Sequence, residues 1–357
     1  MHYNHHSVQF RNNEFFLLSI IDQLKKRQPA IGVTYVLIAI NLFIFIAMLF
    51  AGAGLLHQGN NIQLSWGANF GPATQDGQWW RLFSAIFLHF GIIHLSLNSI
   101  ALWDVGELTE RMYGSWRLLV IYLIAGLFGN LLSLVVQGNQ AVSGGASGAI
   151  FGLYGALLIF LWRERHFFNP QEFKWFFGGG ILFSCLTIFL GFLISGIDNA
   201  AHIGGFAAGT LAGIVLIKPM NARIMPIYIS ILTVSVIVIA IALLLTHLPP
   251  PKYKWSDELA LRNAISALIF ENQAINRNWL ELIQESKDGH LSFEELAGKI
   301  DNSITQPYEE SFSKLSQLPN DPNLPSAKSL ENWLLITEQK KNSAEALANK
   351  LRKSKQP

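Results

Sequence analysis

Three features mark this chain as an all-α membrane protein. Of its 357 residues, 51% are hydrophobic and only 14% charged, too apolar a balance for a soluble chain of this size. Apolar runs of roughly 20 residues, the length a helix needs to cross a bilayer, recur along its first two thirds. After Pro249-Pro250-Pro251 the composition turns polar and charged, with apolar residues at helical spacing. The same numbers exclude other classes. A net charge of +2, without a basic block or an aromatic-interleaved basic patch, leaves no nucleic-acid partner to expect. Cys185 is the single cysteine and lies in an apolar run, so no intramolecular disulfide, cysteine metal site or redox pair can form.

Residues 1–30 form a short polar arm without the apolar core and cleavage site of a signal peptide, so targeting is expected to come from the spans. Seven runs follow, at about 32–53, 87–105, 116–137, 146–163, 175–194, 200–217 and 225–247. The fourth and sixth are rich in glycine and weak by hydropathy alone. Lys25, Lys26 and Arg27 precede the first span, and Arg111 and Arg117 lie between the second and third. Arg163, Arg165 and Lys174 follow the fourth, and Lys218 and Arg223 follow the sixth. The alternate loops at 138–145 and 195–199 carry no Lys or Arg, and the loop at 54–86 carries Arg81 alone. The positive-inside rule puts the N-terminus in the cytoplasm, and an odd number of spans puts the tail at 252–357 outside.

In that tail Leu330, Trp333, Leu334 and Thr337 share one helical face, as do Ile265, Leu268, Ile269 and Ile275 more loosely. Prolines 319, 322 and 325 divide it, and a small soluble helical domain with a frayed basic end is expected. The stretch Gln284 to Glu295 half resembles an EF-hand loop. Gln284 and Ser286 stand where a hard cation wants carboxylates. A turn at Asp288-Gly289 and a capping box from Ser292 to Glu295 are expected instead.

Polar residues inside spans are expensive and point to function. Here they are His94 and Asn98 in the second span, Ser147 in the fourth and His202 in the sixth. These three spans all enter from the outer side, and the four residues lie within about two turns of that end. Serine becomes a nucleophile when a base takes its proton, and histidine is the usual base. Attack on a carbonyl builds an oxyanion that needs donors. His94 and Asn98, at i and i+4, project from one helical face, and the Ser147 amide at a helix start is free to donate. Gly144, Gly148, Gly152 and Ala156 recur every four residues, as do Ala201, Gly205, Gly209 and Gly213. Such small-residue stripes let two membrane helices approach closely, which is what brings a serine on one to a histidine on the other.

With these residues in place the chain resembles the rhomboid intramembrane serine proteases. Gly145-Ala146-Ser147-Gly148, the AHIGG of 201–205 and the HLSLN of 94–98 occur in the family's order and on the matching spans. The loop at 66–90, with Trp80-Arg81, and Glu110-Arg111-Met112-Tyr113-Gly114 resemble the family as well. The likeness covers about 30–220. It implies a six-helix core over 31–220, with the run at 225–247 as the added helix of a "6+1" arrangement. It also implies a Ser147–His202 dyad and an oxyanion site from His94, Asn98 and the Ser147 amide. Gly145, Gly148 and Gly205 support the motifs, and Phe151 takes the place of an aromatic packed on the catalytic histidine. The family cleaves transmembrane segments of other proteins near the outer face, often after small residues, with no metal or organic cofactor. Lateral entry between spans two and five is implied, with the loop at 195–199 and the outer end of span five as gating parts.

Other residues carry plainer expectations. Asp198, four residues before His202, is read as a helix cap rather than a third triad member. His89 is expected to be interfacial or structural, and His2, His5 and His6 to lie in a mobile terminus. Trp80 and Arg81 are expected to anchor the outer loop at the interface, and Glu110 to bond loop backbone. Ser147 is not a nucleophile-elbow serine, since residue 149 is alanine and no strand precedes it. A non-cleaving relative that binds membrane proteins, or a transporter, are the alternatives. The first is disfavoured by retention of all four polar positions. The second would place ionisable groups near the midplane or show paired repeats. A compact chain without a transit peptide points to a bacterial inner membrane, and the oligomeric state is left open.

Overall fold

The computed structural model of the protein describes residues 19–220, 226–289 and 291–354. Most of the N-terminal arm, His2, His5, His6 and Arg223 lie outside the described residues, as does the last part of the basic end. The chain divides into two compact units, Met1–Pro251 and Lys252–Pro357.

In the first unit, α1 (Ile20–Arg27) starts where the Ser19 hydroxyl accepts from the Asp22 amide. It is amphipathic, and Ile20 and Leu24 are fully buried in the main core, so this end of the polar arm is part of the packed structure. α2 (Val33–Phe50) is the first apolar run. Its start is capped from a distance: the buried Glu110 carboxylate accepts from the amides of Gly32, Val33 and Thr34 at 2.9–3.1 Å and from the Thr34 and Ser115 hydroxyls at 2.7 Å. Those amides are among the donors a helix start leaves unpaired, so Glu110 bonds backbone, as expected.

The loop that follows holds three short helices, α3 (Asn60–Ser65), α4 (Gly71–Gln75) and α5 (Arg81–Ser84). Arg81 differs from its expectation. It is buried inside this loop, donating to the carbonyls of Leu64 and Ala68 at 2.8 and 3.0 Å and to Gln78 at 2.7 Å, while its neighbour Trp80 is exposed. The guanidinium's several donors suit it to tie separate loop carbonyls together.

The second run does not begin as one straight helix at 87. A short helical stretch over Arg81–Phe87 meets α6 (Ile92–Tyr113) at 89°. At the break, Gly91 passes so close to Leu56 that a Cβ would stand 2.1 Å from its carbonyl oxygen. Gly114, at φ +87, turns the chain into α7 (Ser115–Gln137), and Gly138 at φ +51 ends it. α8 (Ser147–Glu164), α9 (Pro170–Leu193), α10 (Asn199–Leu216) and α11 (Ile227–Thr246) complete the unit. Asn169 caps α9 ahead of Pro170, and Asp198 caps α10, as short polar residues do at helix starts.

Helices thus occupy all seven predicted runs. By length and composition, α2, α7, α9, α10 and α11 suffice to cross a membrane, with the bent pair a sixth. α8 is not among them, because its first turn is Ser-Gly-Ala and Arg163 and Glu164 close it. It is nevertheless the central helix, packed against α7 and α10 and buried on most sides.

The second unit is helical: α12 (Trp255–Lys287), α13 (Phe293–Ile300), α14 (Gln306–Ser316) and α15 (Ala327–Lys353), with a π turn over Asp301–Thr305. Two cores hold it. One joins Leu261, Leu268, Leu315, Leu324 and Leu330, with Ile265, Trp333 and Leu334 against them. The other joins Ile275, Leu282, Ala297, Ile300, Ile304 and Tyr308 with Ala344 and Ala348. Ile269 is exposed and drops out of the expected face. The predicted capping box is present, with Ser292 and Glu295 each bonding the other's amide after a turn at Gly289 (φ +73).

Candidate active site

The segment entering α8 is extended and pinned on one side. Asn69 and Ser143 exchange amide-to-carbonyl bonds of 2.9 and 2.8 Å, and the Gly145 amide donates to the Ala85 carbonyl at 2.8 Å. Gly145 sits at φ +145, and a Cβ there would come within 2.9 and 3.0 Å of the His94 ring. Backbone and neighbour both demand glycine. Two residues later Ser147 opens α8.

The stripes of small residues meet as α8 and α10 cross. A Cβ on Gly205 would lie 1.9 Å from the Gly148 carbonyl oxygen, one on Gly209 2.1 Å from that of Gly152, and one on Gly213 3.0 Å from the Ala156 Cα. Backbone packs directly on backbone. Gly144 lies outside this seam, against Ala85 and Leu88.

That approach carries His202, on the first turns of α10, to Ser147: the imidazole Nε2 and the serine Oγ are 2.9 Å apart. His202 is 4% exposed and lies flat on Phe151, with ring centroids 4.3 Å apart and planes 6° from parallel. Phe151 comes one turn after Ser147, so one face of α8 supplies both contacts. If the serine hydroxyl donates to Nε2, the neutral ring carries its proton on Nδ1. Asp198 makes no hydrogen bond to that ring. One of its carboxylate oxygens accepts from the Ala201 amide at 3.0 Å, the other from the hydroxyls of Ser133 and Ser143, both at 2.5 Å. It caps α10 and ties α7 and the 143 segment to it, in the plainer of its two expected roles.

From α6, His94 and Asn98 face the same place. The Phe90 amide donates to His94 Nδ1 at 3.3 Å, which leaves the neutral ring its proton on Nε2, the nitrogen facing Gly145. Asn98 donates one amide hydrogen to the His94 carbonyl at 2.9 Å, and its second is not needed there. The Ser147 amide, at the first position of a helix, has no intrahelical acceptor. His89 is fully buried beside His94, with ring centroids 5.1 Å apart, which makes it structural rather than interfacial.

The structure therefore brings Ser147, His202, His94, Asn98 and Phe151 to one cleft of about 590 Å³, with Gly145 against the His94 ring and Gly148 and Gly205 in the seam behind it. Leu97 and Ala101 of α6 and Phe183 and Thr187 of α9 also line the cleft. Sequence reasoning missed Ser133, Ser143, Asn69 and Asn130, whose bonds fix the loops around the cleft. Asn130 and Ser133 sit in the middle of an apolar run, and that signal alone was enough to single them out.

Comparison with known proteins fits this arrangement. The family model for the Rhomboid domain matches residues 76–219, a stretch that contains all of the cleft's polar residues from α6, α8 and α10. The chain is 37% identical over 215 residues to rhomboid protease GluP of Bacillus subtilis, an overlap covering 58% of this chain and 40% of that protein. It is 39% identical over 158 residues to RHOMBOID-like protein 5 of Arabidopsis thaliana, covering 44% and 50%. The chain thus spans half or less of the length of these two relatives. With rhomboid protease AarA of Providencia stuartii it shares 31% identity over 235 residues, 60% of this chain and 83% of that one. Over so much of a relative, and with apolar helices in every predicted run, the chain is an integral multi-pass membrane protein and belongs to the rhomboid family.

Proposed function

We propose that this chain is an intramembrane serine endopeptidase that cleaves membrane-spanning segments of other proteins near the outer face of the bilayer. The observation that carries the reading is the 2.9 Å approach of Ser147 Oγ to His202 Nε2 across the glycine seam. The protease names of the Bacillus and Providencia relatives support it.

In this reading a substrate segment enters between α6 and α9 and unwinds so that a peptide carbonyl lies over Ser147. The serine Oγ bonds to the carbonyl carbon as its proton passes to His202 Nε2. The negative oxygen is held by the Ser147 amide, His94 Nε2–H and the second amide hydrogen of Asn98. The carbon–nitrogen bond then breaks, and the leaving amine takes the proton from His202. Water, deprotonated by the same imidazole, hydrolyses the serine ester. The N-terminus is cytoplasmic, as in a bacterial inner membrane, and the core over 31–220 carries 225–247 as a seventh helix. The tail over 252–357 lies outside.

The test uses purified wild type, Ser147→Ala and His202→Ala in liposomes with a single-span substrate carrying small, helix-breaking residues near its outer end. Cleavage by wild type is expected to fall by at least about a thousandfold in either variant, with fluorophosphonate labelling confined to proteins that retain Ser147. Folded wild type that neither cleaves nor labels overturns the reading in favour of a non-cleaving binder.

A further inference from the structure

The acids on the spanning helices of the first unit are matched, with one exception. Glu107 pairs with Arg111 at 2.9 Å, Glu110 accepts from three amides, Glu164 accepts from the Met220 amide at 3.1 Å, and Glu172 accepts from the Ile20 amide at 2.7 Å. Asp104, halfway along α6, is exposed, and among the described residues no basic side chain pairs with it. Tyr154 on the neighbouring α8 stands beside it. An acid on a spanning helix ordinarily faces a partner or a watery cavity, so what Asp104 faces matters.

It faces the cleft's continuation. Leu97 and Ala101 line the cleft from α6, and Asp104 follows them at i+7 and i+3, on the same helical face. Ser147 and Phe151 line it from α8, and Tyr154 follows at i+7 and i+3 on theirs. Phe183, the cleft residue contributed by α9, stacks on Tyr154 with centroids 4.5 Å apart. By helical spacing, Asp104 and Tyr154 continue both walls of the cleft inward, and Tyr154 lies seven residues, about 10 Å, deeper than Ser147.

Resting on the protease reading above, we propose that Asp104 is a specificity-determining residue. Its carboxylate receives a lysine or arginine side chain from the inner half of a bound membrane-spanning segment, about seven residues from the peptide bond held over Ser147. The charges are complementary, the carboxylate is uncompensated, and the opening is the one a lateral substrate must pass.

The test separates recognition from cleavage. Full-length protein carrying Ser147→Ala is reconstituted in nanodiscs and titrated with labelled single-span peptides that differ only at the position seven residues inward of the cleavage point: lysine, leucine or glutamate. With Asp104 present the lysine peptide is expected to bind about tenfold more tightly than the leucine peptide. Asp104→Asn and Asp104→Leu bring that ratio close to one, and Asp104→Lys transfers the preference to the glutamate peptide, which also shows that the variant is folded. Equal binding of lysine and leucine peptides to the Asp104 protein overturns the proposal, as does a lysine preference that survives Asp104→Leu. With Ser147 restored, the preference is expected in KM rather than kcat. A protein that shows the binding preference but never cleaves keeps this inference and sinks the protease reading instead.

Discussion

His202 has a flat aromatic floor in Phe151, 4.3 Å away and nearly parallel, which fixes the plane of its ring beside the bond to Ser147. Phe151→Ala is expected to lower kcat by about ten- to a hundredfold with KM little changed, whereas Phe151→Tyr keeps the floor and most of the rate; steady-state kinetics on one substrate checks both. Which residues gather at the cleft was largely legible, because a hydroxyl, two imidazoles and a carboxamide have no cheap place in apolar spans. What they bond to was not. The two serines that hold Asp198 come from α7 and from the segment before α8, at positions 133 and 143, and only folding makes them neighbours. Arg81 taught the same lesson. An arginine beside a tryptophan in an outer loop reads as an interface anchor, until the loop turns back and presents the carbonyls of Leu64 and Ala68 to it.

Between helices, the decisive quantity is how near two backbones stand. Gly209→Val places side-chain atoms where the Gly152 carbonyl already is. It is expected to destabilise the fold by at least about 1–3 kcal/mol, seen as a lower thermal midpoint in detergent. Gly179→Ala on α9, with no atom within 4 Å of the new Cβ, is expected to leave the midpoint unchanged or slightly raised. Glu110→Leu strips three amides at the start of α2 of their acceptor, with an expected cost of about 3 kcal/mol by the same measurement. In the second unit, the Ser292 amide and hydroxyl hold the Glu295 carboxyl below its ordinary pKa. A carboxyl with a lowered folded-state pKa adds stability above its unfolded pKa and loses it as pH falls through the folded one. Amide exchange over Phe293–Ile300 is therefore expected to speed up selectively as acid protonates Glu295, and Glu295→Ala to abolish that pH dependence. The seven apolar runs marked the long helices well. They failed at the start of the second, because the crossing of Gly91 over Leu56 leaves no trace in hydropathy, and they underrated α8, whose small residues are what fit it for the centre.

At the scale of the whole molecule, two units of unlike solvent preference share one chain. Among the described residues, the tail's two cores draw on residues between Tyr253 and Leu351, so residues 252–354 made alone are expected to be helical and water-soluble, with a cooperative thermal transition by circular dichroism. The membrane unit divides in a different way. Ser147 and His202 stand on α8 and α10, which touch backbone to backbone, whereas α9 and α11 are scarcely buried. A seam without side chains has no rotamers to rearrange and little room to slide. The bilayer can press on α9 through its thickness and lateral tension while Ser147 and His202 move as one solid piece. On the proposed protease reading, thin and thick membranes are then expected to change how readily a substrate is admitted, read as KM, and to leave the turnover of an admitted one almost untouched: the Ser147–His202 pair is insulated from the mechanics of the lipid around it.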